Sequence, residues 1–296
     1  MKARQWGFGL LCLVVLALTG GLLGRPAFSA ATSPGQPEAP PVRWVSDQDE
    51  ATVRASTVVT RSVYLPLLFR LSSTSTCAIP SESYGDLWVT PPPTDRPAES
   101  HADLNLALRG YVPTNAYKGL VDYSGEADLG APQLPGLFAN NRTPAFSAVY
   151  RVYDWDWNCN CRGPLLTYPE VTLAGLAVTP GETIHVPNSG YTVGSGYEVL
   201  VLYASSNRLT LKYTNNDNVV SGYTLHVENI CVEPRLLALY QAWNSAGRSR
   251  LPALRAGQAF GRALGSEIGV AIRDHGTFMD PRSRKDWWRV VTRHPH

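Results

Sequence analysis

The sequence predicts a mainly β, antiparallel fold in an exported protein, and three observations carry that reading. The second half breaks into short apolar segments divided by turn residues. Two earlier runs show strand-like alternation. Four cysteines remain once an N-terminal segment of export type is set aside.

Lys2 and Arg4 precede an uncharged apolar run from Trp6 to Leu23, and Ser29-Ala30-Ala31 offers the small residues that a signal peptidase reads. A cleaved signal peptide over residues 1–31 is expected, because Gly20, Gly21 and Gly24 break the run. The rival is an uncleaved anchor, since the run approaches bilayer-spanning length. Membrane contact is expected only in that second case. Cys12 lies inside the run with no lipobox around it.

The chain has 26 basic and 24 acidic residues, and residues 1–31 hold three of the bases and none of the acids. The remainder is close to −1, which leaves no global basic field for nucleic acid. Charged residues are sparse at 17% and aromatics plentiful at 10%, a balance suited to a packed extracellular domain. The expected location is secreted or cell-envelope.

Cys77, Cys159, Cys161 and Cys231 form an even set, for which an oxidising compartment favours two disulfides. Cys159 and Cys161 are expected to avoid each other, because same-face strand positions two apart misalign their sulfurs. Each should reach out to Cys77 or Cys231. A soft metal site fits less well, since C-x-C with two remote cysteines departs from usual zinc spacings.

Residues 32–75, rich in Pro, Ser, Thr and Ala, read as a spacer, with an apolar segment at Arg61–Leu71 broken by Pro66. A smaller N-terminal β region is expected over 76–165. It holds the alternating run His101–Val112 and the aromatic run Phe146–Trp157. The second β domain, 166–290, contains VTLAGLAV, ETIHVP, GYTVGSG, YEVLVLYA, RLTLKYT and GYTLHVENICV, with PNSG and TNNDN as turns. EPRLLALYQAWNSAGRSR has helical spacing with Gly247 as a stop, and strands resume at GSEIGVAIRD.

The stretch LRAGQAFGRALGSEIGVAIRDHGTFMDP resembles the closing segment of lysostaphin/LytM-type zinc peptidases of the bacterial cell wall, through Gly257-Gln258, Gly261, Ile272-Arg273, Gly276-Thr277 and Asp280-Pro281. PGETIHVPNSGY, and RLTLKYT followed by GYTLHVENI, add weaker likeness, so that the similarity runs over about residues 171–287. It implies the duplicated-hybrid-motif fold, a small antiparallel β-barrel-like sandwich, here with a helical insertion after Cys231. The family's zinc ligands are a His and an Asp four residues apart and the second His of a His-x-His. The resemblance puts Val171, Gly175 and Gly269 at those places, with Asn229 and Glu267 at the two assisting histidines. Zinc hydrolysis needs three protein ligands and an open position, so the resemblance implies a degenerate site with neither catalysis nor cofactor.

Other candidates have plainer readings. His101, Asp103 and His226 supply an alternative polar or zinc site, against an exposed polar strand face. His185 and His226 read as satisfied structural histidines. Asp154 and Asp156 alternate with Trp155 and Trp157, as a glycosidase or sugar platform would require, against a Trp core with a solvated acidic face. Gly194-Ser195-Gly196 is a turn rather than a nucleophile elbow. Asn141-Arg142-Thr143 is a sequon. Arg282, Arg284, Lys285, Arg289 and Arg293 form a basic end with Trp287 and Trp288.

The expectation is therefore a secreted, non-catalytic binding or structural protein of the cell envelope, with peptidoglycan or another envelope component as partner. Its alternatives are an active zinc-dependent wall hydrolase with a rearranged site, and a surface protein of unrelated role.

Overall fold

The computed structural model describes residues 77–90 and 94–289. The expected signal peptide 1–31, the expected spacer 32–75 with its Arg61–Leu71 run, and Arg293 lie outside the described residues. In chain order the elements begin with β1 (Gly85–Trp88), α1 (Leu106–Arg109), β2 (Tyr111–Pro113), β3 (Phe146–Asp156), β4 (Cys161–Leu165) and β5 (Leu173–Ala177). Then come β6 (Thr183–His185), β7 (Val199–Ser205), β8 (Arg208–Lys212), β9 (Tyr223–Glu228) and β10 (Ile230–Val232). The remainder are α2 (Pro234–Ser245), β11 (Arg250–Leu254), β12 (Ala259–Ala263), β13 (Glu267–Asp274), β14 (Thr277–Met279) and α3 (Arg284–Trp287).

The protein is mainly β. One large sheet has the order β1-β11-β7-β8-β9-β13-β5-β3-β2, with β14 on β13 and β4 on β3, and a small sheet has the order β10-β12-β6. All ladders between named strands are antiparallel. The large sheet is open, with β1 and β2 at its ends among the described residues, and the antiparallel sheets are compatible with the expected sandwich-like fold. Strands from residues 76–165 and from 166–290 share this sheet, through the β3–β5 and β1–β11 ladders.

The register explains how the sheet divides into two faces. Leu209 pairs with Val227 and Val227 with Val270, while Leu211 pairs with Leu225 and Leu225 with Ile272. These rungs point one way, because strand side chains alternate. They meet Ile184, Ile230 and Phe260 of the small sheet and Leu236 and Tyr240 of α2 in one buried core. Each fully buried Leu or Ile contributes about 1.5–3 kcal/mol; Leu225→Ala should cost about 2–5 kcal/mol because a cavity is added to the lost transfer energy.

The opposite rungs are polar. Arg208 pairs with Glu228 and Glu228 with Gly269; Thr210 with His226 and His226 with Ala271; Lys212 with Thr224 and Thr224 with Arg273. This face is buried as well, since Thr210 Oγ1 donates to the Leu104 carbonyl at 2.7 Å, in the segment before α1.

That segment departs from expectation. His101–Val112 is not one strand: a turn precedes α1, and only its end enters β2. Asn105 caps α1 by accepting from the Ala107 amide, and Gly110, at φ 68°, ends it. Both sides of the run are buried, so its alternation marks packing against two surroundings rather than a half-solvated strand. GYTVGSG likewise forms a turn closed by a Gly194–Tyr197 bridge. The expected helix forms as α2, with Pro234 at its first position and the Glu233 carboxylate accepting from the amides of Arg235 and Leu236.

Disulfides join Cys77 to Cys231 and Cys159 to Cys161, with Cα–Cα distances of 5.4 and 5.2 Å. The second pairing overturns the expectation that neighbouring cysteines avoid each other. The misalignment argument holds for a continuous strand, but Cys159 lies in the β3–β4 turn and Asn160 adopts φ 51°, which brings the sulfurs together.

Candidate functional site

Strand β13 lies between β5 and β9, and its register gathers most of the positions singled out by the family resemblance. Gly269 pairs with Gly175 on one side and with Glu228 on the other; Glu267 pairs with Ala177. Asn229 follows Glu228 directly and turns the chain into β10 at φ 62°. Its side chain is exposed. Val171 is fully buried just before β5.

The floor of this cluster is the glycine pair. A Cβ on Gly175 would stand 2.5 Å from Cδ and Oε2 of Glu267, so this carboxylate occupies the space a side chain would take. A Cβ on Gly269 would come within 3.2 Å of Glu228 Cβ and 3.3 Å of Leu173 Cδ2. Glu267 accepts from the Tyr150 hydroxyl at 2.8 Å and from the Ser147 hydroxyl. Tyr150 meets Tyr111 edge to face, centroids 5.2 Å apart. Glu228 accepts from Arg208 Nε at 3.0 Å, and burial raises its carboxyl pKa against the pull of that guanidinium. The result is two carboxylates among tyrosines and one arginine, each engaged by the protein itself.

The second candidate, His101, Asp103 and His226, does not assemble. His101 Nδ1 accepts from the Asp103 amide at 3.2 Å, and its ring meets Trp157. The Asp103 carboxylate instead receives Arg109 Nη2 and Arg273 Nη1, each at 2.7 Å. Burial would raise its pKa, but Arg273 and Arg109 hold it below the usual carboxylate range. His226 is wholly buried. Because the Thr210 hydroxyl gives its proton to Leu104, His226 Nδ1 donates to Thr210 Oγ1 at 3.1 Å, which fixes the neutral Nδ1–H tautomer. Burial, then the Arg273 charge, lowers the His226 pKa to about 3. His226 Nε2 and His185 Nδ1 find no partner in the described protein, so neither histidine is satisfied as fully as expected. Among the described residues no three of His, Cys, Asp or Glu converge as a metal-binding group.

Lys212 lies on the same face and was not singled out by the sequence. Its Nζ donates to the Gly222 carbonyl at 3.1 Å and the Thr224 hydroxyl at 3.3 Å, and burial lowers its pKa to about 7. The signal was the concurrent alternation of Arg208/Thr210/Lys212 and Thr224/His226/Glu228, which marks one polar face but not its burial.

Two further surfaces frame these clusters. A cavity of about 630 Å³ is lined by Asp128, Tyr191, Tyr223, Asp274 and His275, among others. There the Tyr191 and Tyr223 hydroxyls both donate to Asp128 Oδ2, at 2.7 and 2.9 Å. The β3–β4 tip carries Trp155 and Trp157, and Trp157 is 41% exposed. The two tryptophans therefore stand on a projecting hairpin rather than in a core, with Arg96 stacked on Trp157 at 4.9 Å. Asp154 reaches Arg109 at 3.3 Å, and Asp156 caps the turn at Asn158. At the C-terminal end Arg282 is buried on Asp280, and Trp287 and Trp288 are buried too, so this part of the basic segment is structural.

No family model matches the chain, and no curated protein matches it.

Proposed function

We propose that this chain is an exported, non-catalytic binding module of the cell envelope, a degenerate relative of the lysostaphin/LytM-type peptidases. One observation carries the reading: two of the three positions that would bear ligands meet in adjacent strands as Gly175 and Gly269, with the carboxylate of Glu267 in the space beside Gly175. A glycine has no side chain to ligate with, and a metal needs several donors at once. The matched landmarks support the same kinship. Gly257-Gln258 turn the chain between β11 and β12, and Gly276 turns it with His275 between β13 and β14, which Thr277 begins. Turn residues preserve a fold after its chemistry has gone. The partner is peptidoglycan or another envelope component.

The test uses the exported protein purified without chelator. Elemental analysis should give no stoichiometric zinc, the protein should sediment with insoluble peptidoglycan, and no cross-link peptide should be released. Stoichiometric zinc or chelator-sensitive release would overturn the non-catalytic reading. Protein that stays in the supernatant would overturn wall binding.

A further inference from the structure

We infer that the Cys159–Cys161 disulfide is a thiol-exchange site, open to exported thiols, while Cys77–Cys231 is the structural bond. Both half-cystines of the first pair are exposed, at the tip of the β3–β4 hairpin. Its ring closes across a single residue, so it removes little entropy from the unfolded chain and gives the fold little reason to keep it. The hairpin does not depend on it. Asp156 pairs with Cys161 and Trp155 with Arg162 in the ladder. Asn160 Oδ1 accepts from Arg96 Nη1 at 2.7 Å and from Trp155 Nε1 at 3.4 Å. The reduced cysteines would therefore stay side by side, ready to close again.

Cys77–Cys231 differs on each count. It spans 154 residues, and both of its cysteines are half-buried. Cys231 lies in β10, where a Cβ on Gly261 of β12 would come within 2.7 Å of the Cys231 carbonyl oxygen.

The exchange is a two-electron step. An external thiolate attacks one sulfur, the S–S bond breaks, and its electron pair leaves on the other sulfur as a thiolate. A second external thiolate then attacks the mixed disulfide at the external sulfur and releases the second cysteine. Overall, two thiols are oxidised to one disulfide, and Cys159 and Cys161 take up two electrons and two protons. Arg96, paired with Asp95 and held on Asn160 between the two cysteines, is the cation bonded to this turn, whereas Arg162 points away to the Leu108 carbonyl.

The test is graded dithiothreitol on the intact folded protein, with alkylation of free thiols and peptide mass spectrometry. Cys159 and Cys161 should be half alkylated at a concentration at least about tenfold below that needed for Cys77 and Cys231. Near-UV circular dichroism should be retained, and removal of the reductant should restore the bond. Reduction of both bonds together, reduction of Cys159–Cys161 only on unfolding, or a different pairing in the isolated protein would overturn the inference.

Discussion

Gly175 and Gly269 face each other across the β5–β13 ladder, and the carboxylate of Glu267 lies in the space where a side chain on Gly175 would project. The two glycines and the glutamate form one packing unit. A change at one of them is felt by the others.

Gly175→Ala should destabilise the protein by about 1–3 kcal/mol, because the new methyl displaces Glu267 from Tyr150 and Ser147. In a Glu267→Ala background the same substitution should cost much less, since the obstructing group is gone. Urea denaturation of the four proteins measures the coupling. Additive effects would show that Glu267 does not fill the Gly175 space.

Asp103 is the only carboxylate bonded to both Arg109 and Arg273 among the described residues. Asp103→Ala leaves the buried Arg273 without its anion and Arg109 with Asp154 alone, and should cost about 3–5 kcal/mol by denaturant unfolding. A loss below about 1 kcal/mol would contradict this arrangement.

Lys212 is held with its pKa depressed to about 7, whereas the unfolded chain keeps an ordinary lysine. Between about pH 7 and 10.4 the unfolded state binds more protons, so this residue makes stability rise with pH across that window. The full penalty of burying the ammonium is present below pH 7. Lys212→Met should therefore stabilise the protein at pH 6 by about 1–4 kcal/mol, and its advantage should shrink towards pH 10. Thermal melts across the range provide the comparison.

His226 carries a depressed pKa as well, about 3 against about 6.5 when unfolded. Its contribution to stability is present in full above pH 6.5 and is lost as the pH falls towards 3, at up to about 1.4 kcal/mol per pH unit. His226→Gln should flatten that slope. An NMR titration showing His226 protonated at pH 6 would refute the buried neutral ring.

Cys77 and Cys231 close a span of 154 residues. Replacing both by Ser should lower stability by about 3–5 kcal/mol, whereas replacing Cys159 and Cys161 should cost at most about 2 kcal/mol. Paired denaturation curves under non-reducing conditions separate the two effects.

By itself the sequence determined the β class, the helix α2 and most of the strands after Val171. Those features are written locally, in turn residues, in apolar periods of two or 3.6, and in the Glu233-Pro234 start of α2. It also marked the positions that β13 gathers, because a short motif keeps its spacing along the chain. Tertiary structure alone decided the rest. The alternation of Thr210 and Lys212 is the same whether their face meets water or the segment around Leu104, so burial, and with it the shifted Lys212 and His226, is not legible locally. Nor does the sequence state which arginine takes Asp103, since Arg273 lies 170 residues away and is brought to it only by the packing of that segment on β13. The cysteine pairing follows the same rule: a single turn residue, Asn160 at φ 51°, turns two neighbours that a strand would hold apart into a bonded pair.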